Sequence, residues 1–330
     1  MPDTKTLKIR VVADIGGTNA RFAYVEANSQ ELCGIQTFQC QEHANIGSAI
    51  SKYIDSLHNG VIPGAVEIIV DRYCLAIAGP VEDDWVDLPN NHWCFSRRLL
   101  AEELGAQLSV INDFSAQALS VEWLTDSDLI WLGDQRPASG DKGVIAVLGP
   151  GTGLGVAAML PDGSIVPSEG GHISFAPTDE HQLAILRLLW QRYDRVSIER
   201  LLSGMGLENL YWANSVLGGT ERSNTASEIT AGARQGDELC LKTIADFSAI
   251  LGSVAGDIAL AMGAYPGVYI SGGSLPKIAD IIDMAAIRGC FDNKGRFCER
   301  CATIPIAIVT AHNPGLLGCA GFMHRDGQSV

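Results

Sequence analysis

The sequence predicts a two-domain α/β protein, and three observations carry that expectation. Two glycine-rich segments share one plan: Val11-Val12-Ala13-Asp14-Ile15-Gly16-Gly17-Thr18-Asn19-Ala20-Arg21-Phe22 and Ile145-Ala146-Val147-Leu148-Gly149-Pro150-Gly151-Thr152-Gly153-Leu154-Gly155-Val156. Each reads as an apolar strand, a Gly/Thr turn and a second apolar strand, with Gly17-Thr18 falling on Gly151-Thr152. A repeated strand–loop–strand unit implies two similar halves facing each other across a cleft. Strand and helix patterns alternate along much of the remaining chain, as α/β architecture requires. A length of 330 residues is comfortable for two cores.

The elements follow in order. Alternating apolar residues at Leu7, Ile9 and Val11, then over 20–26 and 35–39, read as a three-stranded antiparallel meander. Ile46, Ile50, Tyr53, Ile54 and Leu57 recur at helical spacing, so 45–59 is an amphipathic helix. A short strand over 73–78 ends at Gly79-Pro80. Ser96 caps a helix through Leu104, and a strand over 108–111 stops at Asn112-Asp113. Residues 126–141 are polar and turn-rich, leading into the second glycine segment. The second half reads as helices over 181–193, 197–202, 207–216 and 237–264, with Thr225-Ala226-Ser227-Glu228 as a capping box. Strands over 268–270 and 304–309 follow, and 313–325 is a last helix after Pro314.

Composition narrows the function. A net charge of −15 argues against nucleic acid or an anionic membrane, which need clustered Lys and Arg. It is compatible with phosphate binding if backbone amides and a cation carry the anion. Met1 to Arg10 shows no signal-peptide pattern. No apolar run reads as a membrane span, since the richest, 244–264, carries Asp246 and Asp257. Nine cysteines without framework spacing read as free thiols in a reducing cytoplasm. Cys298-Glu299-Arg300-Cys301 lacks the second pair a zinc site would want.

The chemistry concentrates at strand ends. Gly16, Gly17, Thr18, Asn19 and Gly151, Thr152, Gly153 form turns whose amides can approach phosphates closely, with threonine adding a hydroxyl donor. Asp14, corresponding to Leu148 in the second copy, ends a strand just before its turn. A carboxylate there suits Mg²⁺ held against nucleotide phosphates; a turn-capping role is the alternative. Asn112 and Asp113 sit at a strand end, where α/β sheets bind ligands. Asp113 could accept a hydroxyl proton, or the pair could simply cap a helix from Phe114. Glu169-Gly170-Gly171-His172 resembles a Glu-x-x-His metal pair, but two glycines make it a loop, better suited to a polyhydroxyl ligand. Glu199 could join it, although taken alone an ordinary exposed helix glutamate is the better reading. Ser271-Gly272-Gly273-Ser274 is another close-approach turn, suited to a nucleotide's sugar or base edge.

Together these segments resemble the bacterial glucokinases of the actin-like sugar kinase superfamily. Asp14 to Arg21 is similar to the first phosphate motif, Leu148 to Gly155 to the second, and Ile111-Asn112-Asp113-Phe114 to the catalytic strand end. Glu169 to His172, Ser197 to Ser203 and Tyr269 to Gly273 are similar to the sugar and adenosine motifs. Asp292 to Phe297 and Asn313 to Gly318 also match, and the ordered set runs from near residue 9 to near residue 320. The resemblance implies an actin-like ATPase (ribonuclease H-like) fold with a cleft between a small domain, 1–112, and a large one, 113–313. The helix 314–330 would pack back on the small domain. It implies a homodimer that uses ATP and Mg²⁺ to phosphorylate glucose at its 6-hydroxyl. Asn90, Asn112, Asp113, Glu169, His172 and Glu199 would hold the sugar, and Asp113 would be the base. Gly272 and Gly273 would help hold the nucleotide.

Two features depart from the wider family. The kinase–repressor branch carries a cysteine-rich zinc motif after its sugar-binding histidine, whereas the next cysteine after His172 is Cys240. Pro150 replaces the small residue expected before Gly151 and removes one N–H donor. A sugar-sensing regulator on this fold would need a DNA-binding module before the first strand. An ATP-hydrolysing chaperone would have no use for the Glu169–His172 loop.

Overall fold

The computed structural model describes residues 5–26, 29, 31–62, 66–138, 140–273 and 275–326. Ser274 of the third glycine turn and residues 327–330 of the expected last helix lie outside the described residues. The chain divides into two compact units, Met1–Leu124 with His312–Val330, and Thr125–Ala311.

Unit 1 is built on β1 (Lys5–Ile15), β2 (Asn19–Glu26), β3 (Cys33–Gln39), β4 (Val66–Ile77) and β7 (Gln107–Asn112), in sheet order β3-β2-β1-β4-β7. The first three pair antiparallel, whereas β1–β4 and β4–β7 are parallel. Between these strands lie α1 (Ile46–Ser56), the short hairpin β5 (Trp85–Asp87) and β6 (Cys94–Ser96), and α2 (Arg97–Leu104); α3 (Asp113–Ser120) follows β7. Asn45 opens α1 with a capping box and Ser96 caps α2, which ends at left-handed Gly105.

The alternation at the start of β1 gives way to the apolar run Val11-Val12-Ala13 because the two faces of the strand there serve two cores. Ile9, Val11, Ala13 and Ile15 pack with Phe22, Ile50 and Tyr53. Val12 points the other way, into a cluster with Cys74, Ala76, Ala116, Leu316 and Cys319. A strand covered on both faces cannot alternate apolar and polar residues.

Unit 2 contains β8 (Leu129–Trp131), β9 (Ile145–Pro150), β10 (Leu154–Met159), β11 (Ile165–Ser168), β12 (Gly267–Ile270) and β13 (Ile306–Val309). Their order is β11-β10-β9-β12-β13-β8. The first five repeat the plan of unit 1, three antiparallel strands and then two parallel ones. β8 adds an antiparallel edge, so the turn-rich stretch 126–141 contains a strand too short to show periodicity. The helices are α4 (Glu180–Leu189), α5 (Gly204–Leu217), α6 (Ala226–Arg234), α7 (Glu238–Met262), α8 (Leu275–Ile278), α9 (Met284–Asp292) and α10 (Cys298–Ala302). By length and composition alone α7 could cross a bilayer, contrary to the reading of the sequence. Its buried side chains belong to the core of unit 2, and Gly252 and Gly256 let it approach the backbone of α9. All nine cysteines are free thiols.

The last helix, α11 (Pro314–Asp326), belongs to unit 1. It packs on α3, which explains why the first boundary lies at 124/125 rather than at 112/113. Gly318 has no room for a Cβ against the carbonyl of Ala116, and Gly321 abuts the indole of Trp123. Gly318→Val should therefore lower stability by about 1–3 kcal/mol through overpacking. Gly289→Ala, in a helix with open space around the added methyl, should raise it by about 0.5–1 kcal/mol. Urea-unfolding midpoints measure both changes.

Candidate active site

The first glycine turn is a tight β1–β2 connection closed by Gly16 N donating to Asn19 O at 3.0 Å. Two further bonds hold it from outside: Cys40 N donates to Thr18 O at 2.8 Å, and Asn91 Nδ2 donates to Gly16 O at 3.1 Å. Gly17 lies against Asn90, where an added Cβ would come within 2.8 Å of the Asn90 carbonyl. The loop carrying Asn90 and Asn91 is itself anchored, because the Trp93 indole and His92 both bond the carbonyl of His43. Asn90 is exposed.

Asp14 precedes this turn and pairs across the hairpin with Arg21, whose guanidinium lies 3.5 Å from Oδ2. Burial pushes the Asp14 carboxyl above the usual carboxylate range, and Arg21 opposes that shift only in part. Gly315, in the first turn of α11, faces it; a Cβ there would sit 2.9 Å from Asp14 Cγ. A helix start is a favourable neighbour for a carboxylate.

Asn112 and Asp113 sit where parallel β7 runs into α3. Asn112 is the N-cap: its Oδ1 accepts from Phe114 N at 2.9 Å and Ser115 N at 3.2 Å, while Nδ2 reaches Gly79 O at 3.4 Å. Asp113 is the first helical residue, half-buried, and its Oδ1 accepts from Phe114 N at 2.9 Å. Capping and a ligand role are therefore not exclusive. The cap fixes the helix start that aims the next carboxylate. Since Ile15 pairs with Ile77 and Ile77 with Asn112, Asp14 and Asn112 lie at the carboxyl ends of β1 and β7, the two strands that flank β4 in parallel.

The second turn, Gly151-Thr152-Gly153, closes by Gly151 N donating to Gly153 O at 2.8 Å. The Gly151 amide is thus engaged within the turn, and the amides of Thr152 and Gly153 are the ones left to face an anion. Gly272, at φ 141°, follows β12 and approaches Pro150 O so closely that a Cβ would lie 2.8 Å from it. The neighbouring Ser271 N bonds Leu148 O at 2.8 Å. The third glycine turn therefore leans on the second.

The remaining candidates gather around the same turn. Glu169 to His172 is a 3₁₀ turn in which the exposed carboxylate and imidazole stand 3.9 Å apart. Gly170 packs on Val156, and Gly171 sits against the Leu154 carbonyl with no room for a side chain. Ile198 N bonds Ile173 O at 2.9 Å and Phe175 N bonds Val196 O at 3.0 Å, which lays the segment carrying Glu199 beside the one carrying His172. Glu199 Oε2 accepts from Leu154 N at 2.9 Å. Among the described residues, no group of three or more His, Cys, Asp or Glu is placed to hold a metal ion.

Residues 11–326 match the family model described as glucokinase. The chain belongs to the glucokinase family. It is 44% identical over 321 residues to a glucokinase of Chromohalobacter salexigens, covering 96% of this chain and 98% of that one. A crystal structure of glucokinase from an Antarctic psychrotroph superposes with a TM-score of 0.85 at 33% identity, over 96% of this chain and 99% of that one. The glucokinase of Balamuthia mandrillaris, solved in complex with glucose, shares the fold at a TM-score of 0.75 and 21% identity, over 97% and 94% of the two chains.

Asn91, on the Gly16 carbonyl, and Gly315, against Asp14, are the neighbours of candidate residues that the sequence did not single out. The Asn90-Asn91 pair between Pro89 and His92, and the Pro-Gly at the start of the last helix, were the available signals. The cap makes a direct prediction. Asn112→Ala should cost about 0.5–2 kcal/mol of stability, whereas Asn112→Asp, an equivalent cap, should leave the denaturation midpoint near that of the native chain.

Proposed function

We propose that this chain transfers the γ-phosphoryl group of ATP to the 6-hydroxyl of D-glucose, with Asp113 as general base. The observation that supports it most is the doubled Gly-Thr turn. In two like sheets, the corresponding connection closes by one backbone bond, Gly16 N to Asn19 O in the first and the tighter Gly151 N to Gly153 O in the second, and leaves adjacent amides and a threonine for an anion. Two such turns suit one polyphosphate, and a single adjoining carboxylate suits one cation.

Asp14 fits Mg²⁺. A desolvated carboxylate with one weakly placed arginine gains from a divalent cation, and Mg²⁺ commonly takes one or two protein carboxylates with substrate phosphates filling the rest. Bound there, Mg²⁺ would offset phosphate charge. The chain's own groups do the rest. Gly16 to Asn19 and Gly151 to Gly153 cradle the phosphates, and Gly272 and Gly273 leave space beside the second turn for the nucleoside. Asn112, Glu169, His172 and Glu199 orient the sugar hydroxyls, with Asn90 close by. Asp113 accepts the 6-hydroxyl proton as the oxygen attacks phosphorus, and such a base contributes about 10²–10⁴ in rate. Polar groups that a bound sugar would cover penalise a sugar that lacks a hydroxyl by about 1–3 kcal/mol per unpaired group.

The shared strand order of the two sheets supports the finer reading of an actin-like, ribonuclease H-like plan. A cytoplasmic homodimer belongs to the same proposal, and nine free thiols accord with a reducing compartment.

A coupled assay for sugar-dependent ADP release tests the reading. Glucose should stimulate release strongly; release without sugar would favour an ATPase, and no turnover would favour a regulator. Asp113→Ala should reduce kcat by about 10²–10⁴ while glucose still binds calorimetrically. Near-normal turnover would remove Asp113 as base. Glu169→Gln should act mainly on the KM for glucose, and an unchanged KM would place Glu169 outside the sugar site.

A further inference from the structure

We infer that Glu199 is a positioning residue for the second phosphate turn, so that sugar binding at Glu199 tightens nucleotide binding through Leu154. The inference rests on the reading of Glu199 as a sugar ligand but concerns a different contact. One carboxylate oxygen, Oε2, is already engaged, accepting the Leu154 amide at 2.9 Å. That amide begins β10 immediately after the turn. Gly153 faces the same oxygen so closely that a Cβ there would displace it. The other flank of the turn is tied to the same segment, since Gly204 N donates to Gly151 O at 2.9 Å. Ser203 Oγ donates to the Glu199 carbonyl at 2.8 Å and caps α5 by accepting from Gly206 N at 3.0 Å. Residues 199–204 therefore clamp the turn at both ends, and Glu199 supplies one jaw.

A half-buried carboxylate with one oxygen on the turn has its other oxygen for a sugar hydroxyl. Without sugar, Glu199 can exchange its bond to Leu154 for water, and the turn samples geometries unfit for phosphate. A sugar hydroxyl on the second oxygen restricts the carboxylate to the rotamer that also holds Leu154. The nucleotide then binds a turn already ordered, which is positive coupling without any change in the nucleotide's own contacts. Reciprocity requires nucleotide to tighten glucose by the same factor.

The test is calorimetric and needs no turnover. The dissociation constant of a non-hydrolysable ATP analogue with Mg²⁺ is measured with and without glucose, at sugar concentrations saturating for each variant. In the native chain, glucose should tighten the analogue by about fivefold or more. Glu199→Ala should abolish the tightening even at saturating glucose. Glu199→Gln, which keeps an oxygen for the Leu154 amide, should retain most of it; a purely structural role would not restore coupling in this way. In the native chain, hydrogen exchange at the Leu154 amide should also slow on adding glucose alone, which tests the contact without any variant. Unchanged tightening in Glu199→Ala, no tightening in the native chain although both ligands bind, or an unaltered Leu154 exchange rate overturns the inference. Failure of the native chain to bind either ligand is a separate result and overturns the proposed function instead.

Discussion

A turn that holds a phosphate with backbone amides must keep those amides free of partners within the protein, so its rigidity has to come from elsewhere. Both glycine turns meet that constraint in the same way. Each closes with a single internal bond, Gly16 to Asn19 and Gly151 to Gly153. Each is then braced by a side chain distant in sequence, Asn91 on the Gly16 carbonyl and Glu199 on the Leu154 amide. The glycines serve this bracing, since a side chain at Gly153 would push Glu199 away and one at Gly17 would meet Asn90, the residue beside the Asn91 brace.

The same economy runs through the strand ends. Asn112 caps α3 and thereby fixes the start of the helix that carries Asp113. The start of α11 approaches Asp14 because Gly315 offers no side chain there, and Gly318 lets the same helix settle against α3. Unit 1 thus gathers its polar groups at the carboxyl ends of parallel strands while keeping them on a scaffold buried on both faces. The site residues are placed by secondary structure on one side and by the absence of side chains on the other.

Much of the fold was legible because it rests on local signals. The duplicated strand–turn–strand unit reappears as two sheets with the same order of five strands, and Ser96, Thr225 and Asn45 open helices as their spacing suggests. What escaped the sequence depends on distant partners. β8 is three residues long and exists because β13 offers an edge. α7 carries two aspartates yet is apolar enough to resemble a membrane span, because it is a core helix. The unit boundary at 124/125 reflects the packing of α3 on a helix from the far end of the chain. As candidates, Asp14, Asp113 and the glycine turns could be picked out by residue type and position alone. Asn91 and the second role of Glu199 could not, because nothing local distinguishes a bracing asparagine from a loop asparagine, or a glutamate bonded to Leu154 from one facing solvent.

Phosphate held by main-chain amides at both turns is what the proposed function requires. Residue-resolved hydrogen exchange at Gly17, Thr18, Thr152 and Gly153 tests it most directly, with a non-hydrolysable ATP analogue, Mg²⁺ and glucose at saturating concentrations. Exchange should slow at both turns together when the ligands bind. Exchange that stays fast at either turn, while calorimetry shows the nucleotide bound, would contradict that requirement.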